Sequence, residues 1–159
     1  MVRTKRRSCE RGQAAVEFAL TVVLVFFFII AIIELIMFVY TYNVVAEAAK
    51  EGVRYAIVHG AGNTSPSGPT CPANCAAITG NAGSGGIVKT YAQFSFHDTS
   101  GTNMTVTADY NPAGANGASA CNKAPCLVRV SVAYPYRPFF GLNWPTVTVF
   151  AAAQGRIVF

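Results

Sequence analysis

The most prominent pattern in the chain is one long apolar run near its start. From Ala14 to Tyr42 the run is interrupted by polar side chains at Glu17, Thr21, Glu34 and Thr41. About 20 apolar residues are enough to cross the hydrocarbon core of a bilayer. The pattern therefore predicts a transmembrane helix over about residues 14–42.

Beyond Tyr42 the apolar positions become periodic. Val45, Ala48 or Ala49, Gly52 and Ala56 recur at helical spacing, while Glu47, Lys50, Glu51 and Arg54 fall mostly on the other side. Residues 13–51 contain no glycine or proline to end a helix. We therefore expect one continuous helix over residues 13–58, about 65 Å long, whose outer part (43–58) is amphipathic.

The rest of the chain, residues 59–159, alternates between loops and short strands. Residues 60–86 are rich in turn-forming residues, and 87–96 could begin as a helix, although 91–96 alternate as a strand does. Clearer alternation predicts three strands, over Met104–Tyr110, Val128–Tyr134 and Val147–Ala151. The expected fold class is α+β: an antiparallel sheet of three to four strands, covered by the amphipathic half of the helix.

Composition and charge agree with membrane insertion. Charged residues make up 12% of the chain, against about 25% in an ordinary soluble domain. Five of the twelve basic residues lie in the first eleven positions, and such a cluster beside a span predicts a cytoplasmic N-terminus and an external head. The other basic residues are dispersed, so no nucleic-acid partner is expected.

A cleaved secretory signal peptide is the first alternative. Residues 46–48 (Ala-Glu-Ala) resemble a small-x-small cleavage site. The apolar region of a signal peptide is typically about 7–15 residues long, however, and this one is far longer. The length favours a retained anchor.

Two acidic residues lie inside the apolar run. An ionised carboxylate near the bilayer centre costs about 2.5–3.5 kcal/mol on insertion scales, so such a residue suggests a function. Glu17 lies five residues after Gly12, a spacing that favours a role in assembly over simple solvation among the headgroups. Glu34 could lie at the outer interface or meet a partner helix inside the membrane, and the sequence favours neither.

Four cysteines fall in the predicted external part: Cys71, Cys75, Cys121 and Cys126. An even number in an exported domain indicates disulfides. Local pairs, Cys71–Cys75 and Cys121–Cys126, are favoured because each lies within one loop, and cross-pairing remains open. A four-thiolate zinc site is disfavoured by the spacings and by the oxidising compartment.

Catalytic chemistry is not indicated. His59 and His97 are isolated from carboxylates and thiols in the sequence and are expected at the surface. No nucleophile stands with a base, and no cofactor or metal is expected. We predict that the protein is not an enzyme.

Several segments together resemble the TadE-like family, pilin-like components of tight-adherence (type IVc) pilus systems. They are RGQAAVEFAL (11–20), IEL (33–35), AAKEGVRYA (48–56) and, more weakly, VAYPYRP (132–138). The resemblance implies cleavage by a prepilin peptidase between Gly12 and Gln13, which would remove a basic leader, residues 1–12, that includes Cys9. It also implies that Glu17 pairs with the new α-amino group of Gln13 in a neighbouring subunit.

The expected function is that of a minor pilin or pseudopilin in the bacterial inner membrane, acting in pilus assembly or structure and in adhesion. Its partners would be prepilin peptidase, membrane lipid and other pilin-like subunits, which it would contact through the N-terminal helix. The alternative is an uncleaved single-span envelope protein whose external head binds a ligand or a surface.

Overall fold

A computed structural model describes residues 6–70, 74–80, 85–93, 103–138 and 145–158, with side chains from Gly12 onward. Over these residues the chain forms a very long helix followed by a small head with a three-stranded antiparallel sheet. The predicted α+β fold is confirmed.

Helix α1 runs from Arg6 to Val58, a length of about 80 Å at 1.5 Å per residue. It ends where the sequence pattern predicted, but it begins before the expected start. The reason is that Gly12 is a single glycine between good helix formers. One glycine costs about 1 kcal/mol relative to alanine, which is too little to stop a helix of this length.

The sheet consists of β1 (Thr105–Asp109), β2 (Leu127–Tyr136) and β3 (Val147–Arg156), with β2 in the centre. Both pairings are antiparallel. All three strands coincide with the segments whose apolar residues alternate, and β3 continues past Ala151 toward Ile157. Period-two alternation was therefore a reliable guide in this part of the chain.

The core lies between the outer half of α1 and one face of the sheet. Its fully buried members include, from α1 and β2, Val45, Ala48, Ala49, Ala56, Val128, Val130 and Val132. These are the periodic positions of the predicted amphipathic segment and the inward positions of the predicted strand. Small residues on α1 let the strands approach the helix closely.

Strand β3 follows α1 lengthwise. A Cβ atom placed on Gly155 would lie 2.5 Å from Cδ1 of Ile57 and 2.8 Å from Cγ1 of Val53. The opposite end of the sheet, where β2 ends at Tyr136, contacts α1 at Phe38. The head therefore extends along α1 from about Phe38 to its C-terminal end.

Two further short α-helices and one turn of 3-10 helix (Pro112–Gly114) lie in the described part of the head. Helix α2 spans Ala76–Thr79 and α3 spans Ile87–Gln93. The expectation of a strand over 91–96 is wrong for residues 91–93, which belong to α3, because Val88 and Ala92 are buried at helical spacing. Residues 94–96 lie outside the described part of the chain.

Polar side chains fix the loops of the head. The hydroxyl groups of Ser67 and Tyr110 are hydrogen-bonded at 2.9 Å inside the core. Asn116 binds both backbone groups of Leu127, at 2.7 Å each, and so holds its loop against the start of β2. These contacts satisfy buried polar groups that would otherwise be costly.

Candidate processing and assembly site

The proposed cleavage point lies on the exposed surface of α1. Gly12 and Gln13 are both exposed, and a Cβ atom added to Gly12 would meet no described atom within 4 Å. A small residue with open surroundings before the scissile bond suits a protease that must reach the backbone. Because the bond lies inside α1, a protease would have to unwind the helix locally to cut it.

Glu17 lies one helical turn after Gln13. Its Oε1 atom accepts a hydrogen bond from Nε2 of Gln13 at 3.1 Å, and both side chains are exposed. The hydroxyl of Thr21 donates to the backbone oxygen of Glu17 at 2.8 Å. The carboxylate is therefore directed along the helix toward the residue that would become the new N-terminus.

The stretch around Glu17 consists of the helix alone. None of the described side chains between Gly12 and Ile33 is buried, and Phe18 is 72% exposed. Leu20, Leu24 and Phe28 are among the side chains that form an open apolar hollow on the helix surface. In the described part of the chain, α1 is the one helix long and apolar enough to cross a membrane.

Glu34 is placed by the structure against the protein's own head. The hydroxyl of Tyr136, the last residue of β2, donates a hydrogen bond to Oε2 of Glu34 at 2.9 Å. The ring of Tyr136 meets that of Phe38 edge-on, with centroids 5.5 Å apart. Of the two environments that the sequence left open, an outer boundary fits this contact, because the head begins there.

The environment of Tyr136 also changes its acidity. Only 9% of its side chain is exposed. Burial, together with the hydrogen bond to Glu34 and the negative charge of that residue, raises the pKa of Tyr136 to about 12. All three causes favour the neutral phenol, which is the form that can donate to a carboxylate.

The contact of Tyr136 with Glu34 was not predicted from the sequence. Alternation placed it near the end of a strand, but the position of that strand along α1 is a tertiary property. The available signal was that an acidic residue in a membrane helix needs a hydrogen-bond donor, and a tyrosine at a strand end facing the helix could have been considered.

The cysteines of the head are disulfide-bonded where the structure describes them. Cys121 and Cys126 are joined, with Cα atoms 5.9 Å apart, which is one of the two local pairs favoured from the sequence. Cys75 is buried and also disulfide-bonded, and Cys71 lies outside the described residues. The Cys121–Cys126 bond is incompatible with a four-thiolate zinc site.

His59 is half-buried rather than fully at the surface. Its ring stacks on Tyr55 at a centroid distance of 3.8 Å, and its Nδ1 lies 2.9 Å from the backbone oxygen of Tyr55. His97 lies outside the described residues. Among the residues that are described, no group of three or more His, Cys, Asp or Glu side chains could hold a metal ion.

The described part of the chain thus combines an exposed apolar N-terminal helix with a small α+β head on the outer half of that helix. The model of the TadE-like protein family matches residues 12–54, which confirms the predicted resemblance over α1. This range begins at the proposed cleavage point, includes both acidic residues of the apolar run, and ends four residues before α1 does. No curated protein matches the chain, and no solved structure matches it.

Proposed function

We propose that this protein is a minor pilin or pseudopilin of a tight-adherence pilus system. It is inserted in the bacterial inner membrane with its N-terminus in the cytoplasm and its head outside. A prepilin peptidase cuts it between Gly12 and Gln13. The processed helix then packs with other pilin-like subunits during pilus assembly or within a fibre used in adhesion.

The main support is the arrangement of three groups at the start of the bare helix, which is the part of α1 over residues 12–33 where no described side chain is buried. Gly12 is open to approach, Gln13 would carry the new α-amino group, and Glu17 lies one turn further with its carboxylate exposed. A carboxylate and an amine are each costly alone in apolar surroundings, and pairing them between subunits offsets much of that cost. The match of residues 12–54 to the TadE-like family supports the same function.

Substitution of Gly12 tests the cleavage step. Gly12→Ala should still be cut, fully or more slowly, because one methyl group leaves the backbone accessible. Gly12→Trp should block cleavage, because a large side chain beside the scissile bond excludes the protease. A Cβ atom at this position meets no described atom within 4 Å, and Gly12 lies on the exposed part of α1, so we expect a difference between the two variants to report on processing. N-terminal sequencing of the protein isolated from membranes gives the result.

A mature chain that begins at Gln13 in the wild type and in Gly12→Ala supports the proposal. Equal amounts of mature protein from Gly12→Ala and Gly12→Trp would refute cleavage at this position. A native protein that keeps Met1 while it performs its role would favour the alternative, an uncleaved envelope protein with a binding head.

A further inference from the structure

The length of bare helix below the head matches the thickness of a membrane. From Gly12 to Ile33 the helix measures about 33 Å at 1.5 Å per residue, and the hydrocarbon core of a bilayer is about 30 Å thick. Among the described hydrogen bonds, the first between α1 and the head is made by the next residue, Glu34. Glu34 therefore lies at the level where hydrocarbon gives way to headgroups.

One end of the head lies at this same level. Tyr136 is bonded to Glu34, and in the sheet register Tyr136 faces Val147, the first residue of β3. The β2–β3 end of the sheet is therefore beside Glu34. Gln154 lies seven residues after Val147 on β3 and pairs with Arg129. It is therefore about 23 Å from Val147 at 3.3 Å per residue.

The side chains exposed at this end suit a membrane interface. Val147 is apolar and 49% exposed, and Arg137, next to Tyr136 in the chain, is exposed. On α1 at this level, Leu35 and Ile36 are 62% and 60% exposed. Exposed apolar side chains at the same level as an exposed arginine are typical of the boundary between acyl chains and headgroups.

We propose that the end of the head marked by the exposed side chains of Arg137 and Val147 is a lipid-binding surface that rests on the phospholipid headgroup layer of the bilayer. The exposed guanidinium of Arg137 complements lipid phosphate, and Val147 contacts the upper acyl region. The core between α1 and the sheet holds the head on the helix, and the hydrogen bond from Tyr136 to Glu34 holds its lower end at this height. The inference rests on the membrane insertion assumed in the proposed function.

Phospholipid is favoured over a second copy of the chain as the occupant because the surface continues the membrane-spanning surface of α1. The exposed apolar side chains of Leu35 and Ile36 lie on α1 between the bare helix and the level of Val147. When the bare helix is fully inserted in the bilayer, lipid therefore reaches this end of the head, and no further partner is needed to cover it.

Tryptophan quenching in vesicles tests the proposal. The full-length chain carries Trp144→Phe, which removes its single native tryptophan, and one new tryptophan is introduced in each variant. Val147→Trp is the test position and Val23→Trp reports insertion of the span. Gln154→Trp, exposed at the other end of β3, is the matched control. The vesicles contain phosphatidylcholine and phosphatidylglycerol, with bromine placed either near the carbonyls or near the chain ends of the lipid.

The expected result is that both Val23→Trp and Val147→Trp lose emission. Val147→Trp should be quenched more strongly by the shallow bromine and Val23→Trp by the deep one, while Gln154→Trp keeps its emission. Replacing Arg137 with Ala should weaken the quenching of Val147→Trp and leave that of Val23→Trp unchanged.

Two results overturn the lipid-binding surface and leave insertion intact. In the first, Val23→Trp is quenched but Val147→Trp is not, including the case in which its emission is blue-shifted because a second copy covers it. In the second, Val147→Trp and Gln154→Trp are quenched equally. If Val23→Trp is not quenched either, membrane insertion itself fails, and the proposed function fails with it.

Discussion

At the scale of single residues, the contact between Glu34 and Tyr136 joins the head to the upper end of the apolar part of α1. It joins residues 102 positions apart, and the ring of Phe38 packs against the same tyrosine. The carboxylate of Glu34 thereby receives a hydrogen bond from the head. The acidic residue is thus compatible with the edge of a membrane.

Removing the phenol hydroxyl should destabilise the head. In Tyr136→Phe the hydrogen bond to Glu34 is lost while the edge-on contact with Phe38 is kept. Hydrogen bonds to charged groups contribute about 1.5–3 kcal/mol, so we expect the free energy of unfolding to fall by about 2 kcal/mol. Denaturant unfolding of the full chain in detergent micelles measures it. Tyr91→Phe, at an exposed position on α3, is the control, and an equal loss there would contradict the assignment.

High pH should weaken the same contact. The pKa of Tyr136 is raised from its ordinary value of 10.0 to about 12 in the folded protein. The folded state therefore keeps its proton after the unfolded state has lost it. The stability associated with this proton is fully present below pH 10 and is lost as the pH rises through about 12.

Phenolate absorbance measures this titration as the difference between wild type and Tyr136→Phe. In Glu34→Gln the negative charge is removed but burial remains, so the midpoint should fall between the two values. A Tyr136 midpoint at the ordinary value in wild type would show that the contact is absent in solution.

At the scale of elements, the close approach of α1 to the rest of the head depends on Gly52. A Cβ atom at this position would lie 2.6 Å from Cγ2 of Val88 on α3 and 3.0 Å from Cγ1 of Val130 on β2. Valine side chains are stiff, so they cannot easily move aside. Because Gly52 has no Cβ atom, α1, α3 and β2 can pack closely together at this point.

Gly52→Ala should lower stability even though alanine is the better helix former. Overpacking a core costs about 1–3 kcal/mol, and the gain in helix propensity is about 1 kcal/mol, so we expect a net loss. Gly12→Ala is the matched control in the same helix, since no described atom lies near it. Thermal unfolding of both variants decides the matter, and equal melting temperatures would show that the core accommodates the methyl group.

The elements were predictable from the sequence where one periodicity dominates. The uninterrupted apolar run predicted the first part of α1. Alternation predicted all three strands, because each strand turns one face toward the core. Residues 91–93 were misassigned because a short helix and a short strand both carry few apolar positions. The contact of Glu34 with Tyr136 could not be predicted from the sequence, because no local pattern determines where β2 packs along α1.

The candidate site was predictable for a different reason. Gly12, Gln13 and Glu17 lie within one short segment, so their spacing in the helix follows from the sequence alone. Whether Glu17 acts between subunits depends on partners, which one chain cannot specify. That step therefore stays a prediction.

At the scale of the whole molecule, the bare helix is the surface available for assembly, and Glu17 is its acidic residue nearest the proposed new N-terminus. Glu17→Ala should leave membrane insertion and cleavage intact, because the side chain is exposed and its described hydrogen bonds lie within α1. It should reduce or abolish pili, because an amine buried between subunits would lose its counter-charge. Counting sheared fibres and sequencing the mature chain give the two readouts.

Glu17→Gln, which keeps the shape but removes the charge, should impair piliation as Glu17→Ala does. Glu47→Ala, which changes an exposed carboxylate on the outer half of α1, should have no effect. Normal piliation in Glu17→Ala would remove the proposed role of this residue.

The unbroken course of α1 has a mechanical consequence. With no glycine or proline between Gln13 and Glu51, the rod has no hinge, and the sheet is packed along its outer half. A tilt of 10° at Glu34 would carry Val58 sideways by about 6 Å over a lever of about 36 Å. A force applied at the C-terminal end of α1 is then transmitted to its N-terminal end. If the subunit is extracted from the bilayer, we therefore expect α1 and the head to tilt together as one rigid body instead of α1 bending below the head.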